Sequence, residues 1–427
     1  MKKATAWQCS LCILLLFSFL AAGAVAREEQ PPAQVKIQTT APAVRTGIER
    51  LLEQPAQLLG KRVGLITNQT GVTSGLVHDV DALLEKKIQL VAVYGPEHGI
   101  RGAEQAGSAP ESFQDAKTGL PFYNLYGKEP QEIARLFRDV DVVLYDIQDV
   151  GARFYTYIST MAYAMKAAAM EGKPFIVLDR PNPLGGEKVE GPILDLHFQS
   201  FVGLYPIPLR HGMTVGELAG WIRKQDLEKE YGAKADLTVI RMEGWKRGMQ
   251  YEDTGLPWVP PSPNMPTVGT AAVYPGNGLF EGTNLSEGRG TTLPFEWVGA
   301  PYINGWELAH RLNRLKLPGV AFREAYFQPA FSKHAGKTIG GVQFYVTDRQ
   351  AYEPVRTALT VMAEVKKQYP RQFDWRGDHW IDKLLGTDAV RKALDQGTPV
   401  NEIVAKWQEE LRAFEMQRKP FLLYGTE

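Results

Sequence analysis

Five short apolar runs, alternating with helical patterns, constrain this chain more than any other feature. Lys61–Asn68, Gln89–Tyr94, Val140–Tyr145, Pro174–Leu178 and Leu237–Met242 read as strands. Between them, Asp79–Lys87, Gln131–Arg138, Ile158–Glu171 and Thr214–Leu227 carry helical spacing. Strands that stay apolar along their length are covered on both faces, and the intervening helices make them parallel. The expected architecture is therefore α/β, a doubly wound parallel sheet. Thr46 opens a short helix, Gly47–Gln54, that stops before Pro55.

Periodicity then fades. Gly244–Ala300 is dense in Gly, Pro, Ser and Asn, and its aromatic content (Trp245, Trp258, Tyr274, Phe280, Phe295, Trp297) marks an ordered, functional loop region. Regular patterns resume with a helix from Trp306 to Leu317. Strands follow at Val320–Phe327 and Gly341–Val346, then helices at Tyr352–Gln368, His379–Leu394 and Val400–Met416. The chain thus divides into a sheet domain over 44–243, a loop region over 244–300 and a smaller α+β domain over 301–427.

The first 26 residues read as a signal peptide. Met1-Lys2-Lys3 supplies the charged start, Leu11–Ala22 the apolar run and Ala24-Val25-Ala26 the cleavage signal, with a polar leader over 27–43. That run is shorter than the roughly 20 residues a spanning helix needs, and the mature chain carries no transmembrane segment. Cys9 and Cys12 both lie in the signal. The mature protein therefore has neither disulfides nor a thiol nucleophile, which fits export to a bacterial periplasm or cell exterior. With 48 Lys and Arg against 48 Asp and Glu, no net charge draws it to nucleic acid.

Ligands of open parallel sheets bind beyond the carboxyl ends of the strands. Three strand patterns here run into charged segments: Glu97-His98-Gly99-Ile100-Arg101, Asp146–Tyr157 and Asp179–Gly186. Charged groups at the end of a buried strand are costly unless they are used. If the strands are parallel, Glu97, Asp146, Asp149 and Asp179 converge on one sheet edge with His98, Arg101, Arg153, Arg180, Asn182, Tyr155 and Tyr157. Crowded carboxyls suit general acid–base work. The loop region adds Ser262 and Asn264, then Glu281, Thr283, Asn284, Glu287 and Arg289, a set suited to a hydroxylated polar ligand. The same residues admit plainer readings: Asp179/Arg180 and Asp149/Arg153 as structural ion pairs, the tyrosines as packing groups, His98 as a support for Glu97. No Gly-x-Gly-x-x-Gly, Walker loop, His-Glu-x-x-His or Gly-x-Ser-x-Gly occurs, and no spacing supports a metal or other cofactor.

At these segments the chain resembles the exo-β-N-acetylmuramidase (NamZ-like) glycoside hydrolase family, formerly a domain of unknown function. The resemblance runs from about Thr46 to the C-terminus. It is carried by Gly64–Gly71, Pro96–Gly102, Asp146–Tyr157, Asp179–Gly186, Pro261–Thr267 and Phe280–Thr291. It implies a Rossmann-like domain with a smaller auxiliary domain and an active site between them. It also implies removal of terminal β-1,4-linked N-acetylmuramic acid (MurNAc) from the non-reducing end of peptidoglycan fragments, with Glu97 as the catalytic candidate. Glycoside hydrolysis needs an acid at the leaving oxygen and a second group across the ring. Glu97 suits the first role, and Asp146, Asp149, Glu281 and Glu287 are candidates for the second, beside attack by the substrate's own acetamido oxygen. Arg153, Arg180 and Arg289 are the candidate partners of the lactyl carboxylate. The competing readings are a non-catalytic module that binds muropeptides or acidic sugars, and an esterase or amidase of cell-wall amino sugars.

Overall fold

Seven strands build the main sheet: β1 (Arg62–Thr67), β2 (Gln89–Gly95), β3 (Ser112–Gln114), β4 (Pro121–Asn124), β5 (Val142–Asp146), β6 (Phe175–Leu178) and β7 (Leu237–Ile240). Their order is β3-β4-β2-β1-β5-β6-β7. All neighbours are parallel except the edge pair β3–β4. This computed structural model describes residues 43–426 except 103 and 105–109. The signal peptide, and the leader apart from Ala43, lie outside the described residues.

The chain leaves β1 for β2 on one side and reaches β5 on the other, so the loops after these strands flank a topological switch point. β5 is buried along its whole length, as a strand covered on both faces must be. The helix Tyr157–Met170 packs on the sheet through small residues, among them Ala162, Ala164, Ala167, Ala168 and Ala169. Sequence periodicity shows β1, β2, β5, β6 and β7 to within a few residues. It does not show β3 and β4, which are short and partly exposed.

The loop region holds more order than its composition conveys. It contains the helix Val268–Asn277 and a strand, β8 (Trp297–Ala300). Pro275 within that helix, and the Gly and Thr around it, hide its period. β8 joins β9 (Val320–Phe327) and β10 (Ile339–Val346) in an antiparallel sheet ordered β8-β10-β9. The long patterns at 379–394 and 400–416 each resolve into two helices, Trp380–Leu385 with Ala389–Asp395 and Val400–Ala405 with Gln408–Arg418. Left-handed Gly386 ends the first of these, at a φ of 73° that favours glycine.

One apolar core runs from Tyr145 and Met161 under the main sheet through Phe280 and Phe344 to Leu359 and Trp407. The C-terminal tail then returns to the main sheet. Tyr424 Oη donates to Asp179 Oδ2 at 2.6 Å, and Leu423 N–H donates to Glu217 Oε1 at 2.8 Å. Among the described residues no helix is long and apolar enough to cross a membrane.

Candidate active site

β2 ends at Gly95-Pro96, and the chain turns sharply, with Gly99 N–H donating to Pro96 O at 3.1 Å. His98 sits in the left-handed region at φ 71°, a conformation a non-glycine residue holds at a cost of roughly 1–3 kcal/mol. That turn carries Glu97 into a cavity of about 270 Å³. The volume lies just below the roughly 300–1,000 Å³ typical of small-molecule sites. The loop after β5 supplies Phe154, Tyr155 and Thr156 to the same space, and the region 244–300 supplies Ser262, Asn264, Tyr274, Glu281, Arg289 and Phe295. Trp380 and Leu384 close it from the C-terminal part.

Glu97 is buried, and its Oε2 accepts a hydrogen bond from Thr156 Oγ1 at 2.6 Å. Thr156 directly precedes the long helix Tyr157–Met170, so the carboxyl is braced by a rigid element. Tyr126 stands on the other side, its hydroxyl pushed up to about 12 by burial and by the Glu97 carboxyl. Phe154, Tyr155 and Phe295 each pack edge-to-face on Tyr274, at centroid spacings of 5.1, 5.7 and 4.7 Å. This packing fixes an aromatic wall around the carboxyl. His98 Nδ1 lies 2.7 Å from Glu104 O. A carbonyl only accepts, so Nδ1 is the protonated nitrogen and Nε2 is an acceptor. Burial lowers the His98 pKa against the opposing pull of Glu97, so the ring is neutral at pH 7.

The remaining expected site residues divide sharply. Tyr155, Ser262, Asn264, Glu281 and Arg289 line the cavity with Glu97 and His98. Asn264 Nδ2 is buried there without an acceptor among the described residues. Glu281 Oε1 accepts from Arg289 Nη2 at 2.7 Å. Glu287 lies behind Arg289, 3.4 Å from its Nε, and also accepts from Lys333 Nζ at 3.0 Å.

The others do not face the cavity. Asp146 is fully buried in a two-pronged pair with Arg180, through Nε to Oδ1 and Nη2 to Oδ2. Arg180 therefore pairs with Asp146 rather than with its neighbour Asp179, because the guanidinium turns back across the sheet edge. Arg153 is not paired with Asp149. It donates to the carbonyls of Pro192, Ile207 and Leu384, and burial alone takes its pKa down to about 9. Asp179 accepts from Thr214, Gly216 N–H and Tyr424, anchoring a helix start and the tail. Arg101 is exposed and bonds Asp115 at 2.7 Å. Asn182 caps a turn between Met213 O and Leu184 N–H. Thr283 and Asn284 fasten loops to Phe280 O and Gln372 O. Tyr157 Oη donates to Pro261 O and so ties the long helix to the loop region.

Asp149 is buried beneath the cavity wall, 3.9 Å from His211 Nε2, and its Oδ1 has no donor among the described residues. Burial outweighs the Gly151 and Val150 N–H groups and pushes its pKa from 3.8 up to about 7. Asp179 and Glu190 are likewise raised to about 7 by burial. These three carboxyls hold protons that the unfolded chain releases, so their contribution to stability falls as pH rises between about 4 and 7; His211, which burial takes down to about 3, offsets one of the three. The expected result is a thermal midpoint that drops from pH 5 to pH 7.5, with a shallower slope in Asp149→Asn. A midpoint that rises over that range contradicts the assignment.

Thr156, Tyr126, Tyr274 and Trp380 are cavity residues that sequence reasoning missed. Thr156 lay inside a motif already marked, and its position between two tyrosines was the available signal. Tyr126 follows the unrecognised β4, and no pattern pointed to it.

A small cavity walled by aromatics, with the carboxylates Glu97 and Glu281 in its lining, thus lies at the carboxyl edge of the parallel sheet of an α/β protein. Comparison with known families makes the class specific. Residues 63–269 and 272–424 match the N- and C-terminal models of exo-β-N-acetylmuramidase NamZ, and the chain belongs to that family. It is 50% identical over 415 residues to the peptidoglycan β-N-acetylmuramidase NamZ of Bacillus subtilis (strain 168), covering 96% of this chain and 99% of that one. It is also similar to crystal structures of two DUF1343 family proteins of Bacteroides fragilis NCTC 9343. One has a TM-score of 0.83 at 39% identity, over 90% of this chain and 100% of that one. The other has a TM-score of 0.71 at 33% identity, over 90% and 99%.

Proposed function

We propose that this chain is an exo-acting β-N-acetylmuramidase that hydrolyses terminal, non-reducing β-1,4-linked MurNAc from peptidoglycan fragments. The observation that carries the reading is the placement of Glu97, buried, braced by Thr156 and set in a small cavity within a chain of this family. A pocket of this size accepts one terminal sugar and excludes a continuing chain on its far side, which is the geometry of exo action. Glu97 gives its proton to the glycosidic oxygen as the C1–O bond breaks. Glu281 is the other carboxylate lining the cavity among the described residues. It takes the second role, receiving the proton of the water that adds at C1. Asn264 Nδ2, lacking a protein acceptor, is placed to donate to a sugar oxygen. Export from the cytoplasm belongs to the same proposal and rests on the Lys2-Lys3 start, the apolar run and Ala24-Val25-Ala26.

The test is incubation of the purified mature chain with a chromogenic β-MurNAc glycoside. Release of the chromophore, with free MurNAc as the other product, supports the hydrolase. Tight binding of MurNAc without turnover supports a binding module instead, and release of lactate or acetate an esterase or amidase.

A further inference from the structure

The cavity contains one cationic side chain, and its surroundings hold it with one edge free. Among the described residues Arg289 is the only Arg or Lys that lines the cavity, beside two carboxylates, Glu97 and Glu281. Arg153 and Arg180 are committed to backbone carbonyls and to Asp146. His98 is held neutral by burial, with Nδ1 on Glu104 O, so it offers no charge. Without Arg289 the space would repel an anion.

The guanidinium is fixed on three sides. It lies over the Phe295 ring at 4.9 Å from the centroid. Nη2 donates to Glu281 Oε1, and the Nε edge faces Glu287 Oε1 at 3.4 Å. Glu287 is in turn pinned by Lys333 Nζ, which also donates to Phe280 O and Leu285 O. Burial works against the charge on Arg289, but Glu281 and Glu287 outweigh it and keep the group cationic. Nη1 has no protein acceptor among the described residues. A guanidinium whose rotamer is already fixed loses little entropy when its open edge takes a carboxylate.

We infer that Arg289 is the specificity-determining residue that reads the 3-O-lactyl carboxylate of the muramic acid residue, donating to it from Nη1. This rests on the muramidase reading above and extends it from the reaction to the choice of sugar. The lactyl group is what separates MurNAc from N-acetylglucosamine, so the contact that recognises it sets the preference.

The experiment compares a nitrophenyl β-MurNAc glycoside with its lactyl primary amide, which keeps the size and shape of the carboxylate without the charge, in wild type and Arg289→Met. Wild type is expected to favour the acid in kcat/KM by about 10–100-fold, the worth of a hydrogen-bonded charge contact. In Arg289→Met the two glycosides become equal, while Arg289→Lys keeps part of the preference. The ratio cancels any general damage, because harm to Glu281 or to folding lowers both substrates together. Arg289→Gln, which retains a donor for Glu281, replaces the Met variant if that one does not fold. A preference that survives in Arg289→Met, or a wild type indifferent to the exchange of acid for amide, overturns the assignment alone. No turnover of either glycoside by wild type overturns the muramidase reading, and the assignment with it.

Discussion

Glu97→Gln lowers kcat for MurNAc release from a saccharide by about 10²–10⁴-fold, the contribution of a positioned general acid. The amide has the shape of the carboxyl and still accepts the Thr156 hydroxyl, so the pocket and KM change little. What is lost is the proton for the leaving oxygen. The deficit is therefore expected to be smaller on a nitrophenyl glycoside, whose leaving group departs without protonation, than on a glycosidic bond to another sugar. Parallel measurement of both substrates checks this. Equal losses on both would mean that Glu97 does not act as the acid, and a loss below about tenfold on the saccharide would remove it from the chemistry altogether.

Arg180→Met destabilises the fold by about 3–5 kcal/mol, because it strands Asp146 as a buried, unpaired carboxylate. Asp146 has no exposure, and burial already lifts its pKa to about 6 with Arg180 present to oppose the shift. Removing the guanidinium raises that pKa further. The folded variant then binds a proton that the unfolded chain gives up, and the loss is largest at high pH and shrinks as pH falls through the acid range. Urea denaturation at pH 8 and pH 5 measures both. A loss under about 1 kcal/mol, the range of an exposed pair, would show that the buried pair is not what secures this sheet edge.

The contrast between these two variants marks how far the sequence could be read. Apolar runs with helical patterns between them are enough to show the parallel sheet, since a strand buried on both faces, such as β5, must look that way. The edge strands β3 and β4 are short and half exposed, so burial leaves no pattern in them. The helix Val268–Asn277 was hidden by Pro275 and by small residues whose packing is set by the fold rather than by periodicity.

Of the residues after the strand ends, Glu97, His98 and Tyr155 converge on the cavity, as their positions led one to expect. Asp146, Asp179 and Arg180 do not, because a charged side chain at a strand end can turn inward to a partner as readily as outward to a ligand. Side-chain direction after a strand is decided by the turn that follows. The left-handed turn at His98 turns Glu97 into the cavity, whereas the turn at Gly151, at φ 79°, leaves the Asp149 carboxyl on the N–H groups of Val150 and Gly151. No spacing rule distinguishes the two. Arg289 could be preferred over Arg153 and Arg180 only once the carbonyls and carboxylates around each were visible.

The most direct measurement is product analysis on two peptidoglycan fragments of equal length, one with MurNAc at the non-reducing end and one with N-acetylglucosamine there. A single free MurNAc released from the first, with the second left intact, is the predicted outcome for a one-sugar pocket with Glu97 at its base. Internal cleavage of either fragment, or release of the terminal N-acetylglucosamine from the second, would contradict it.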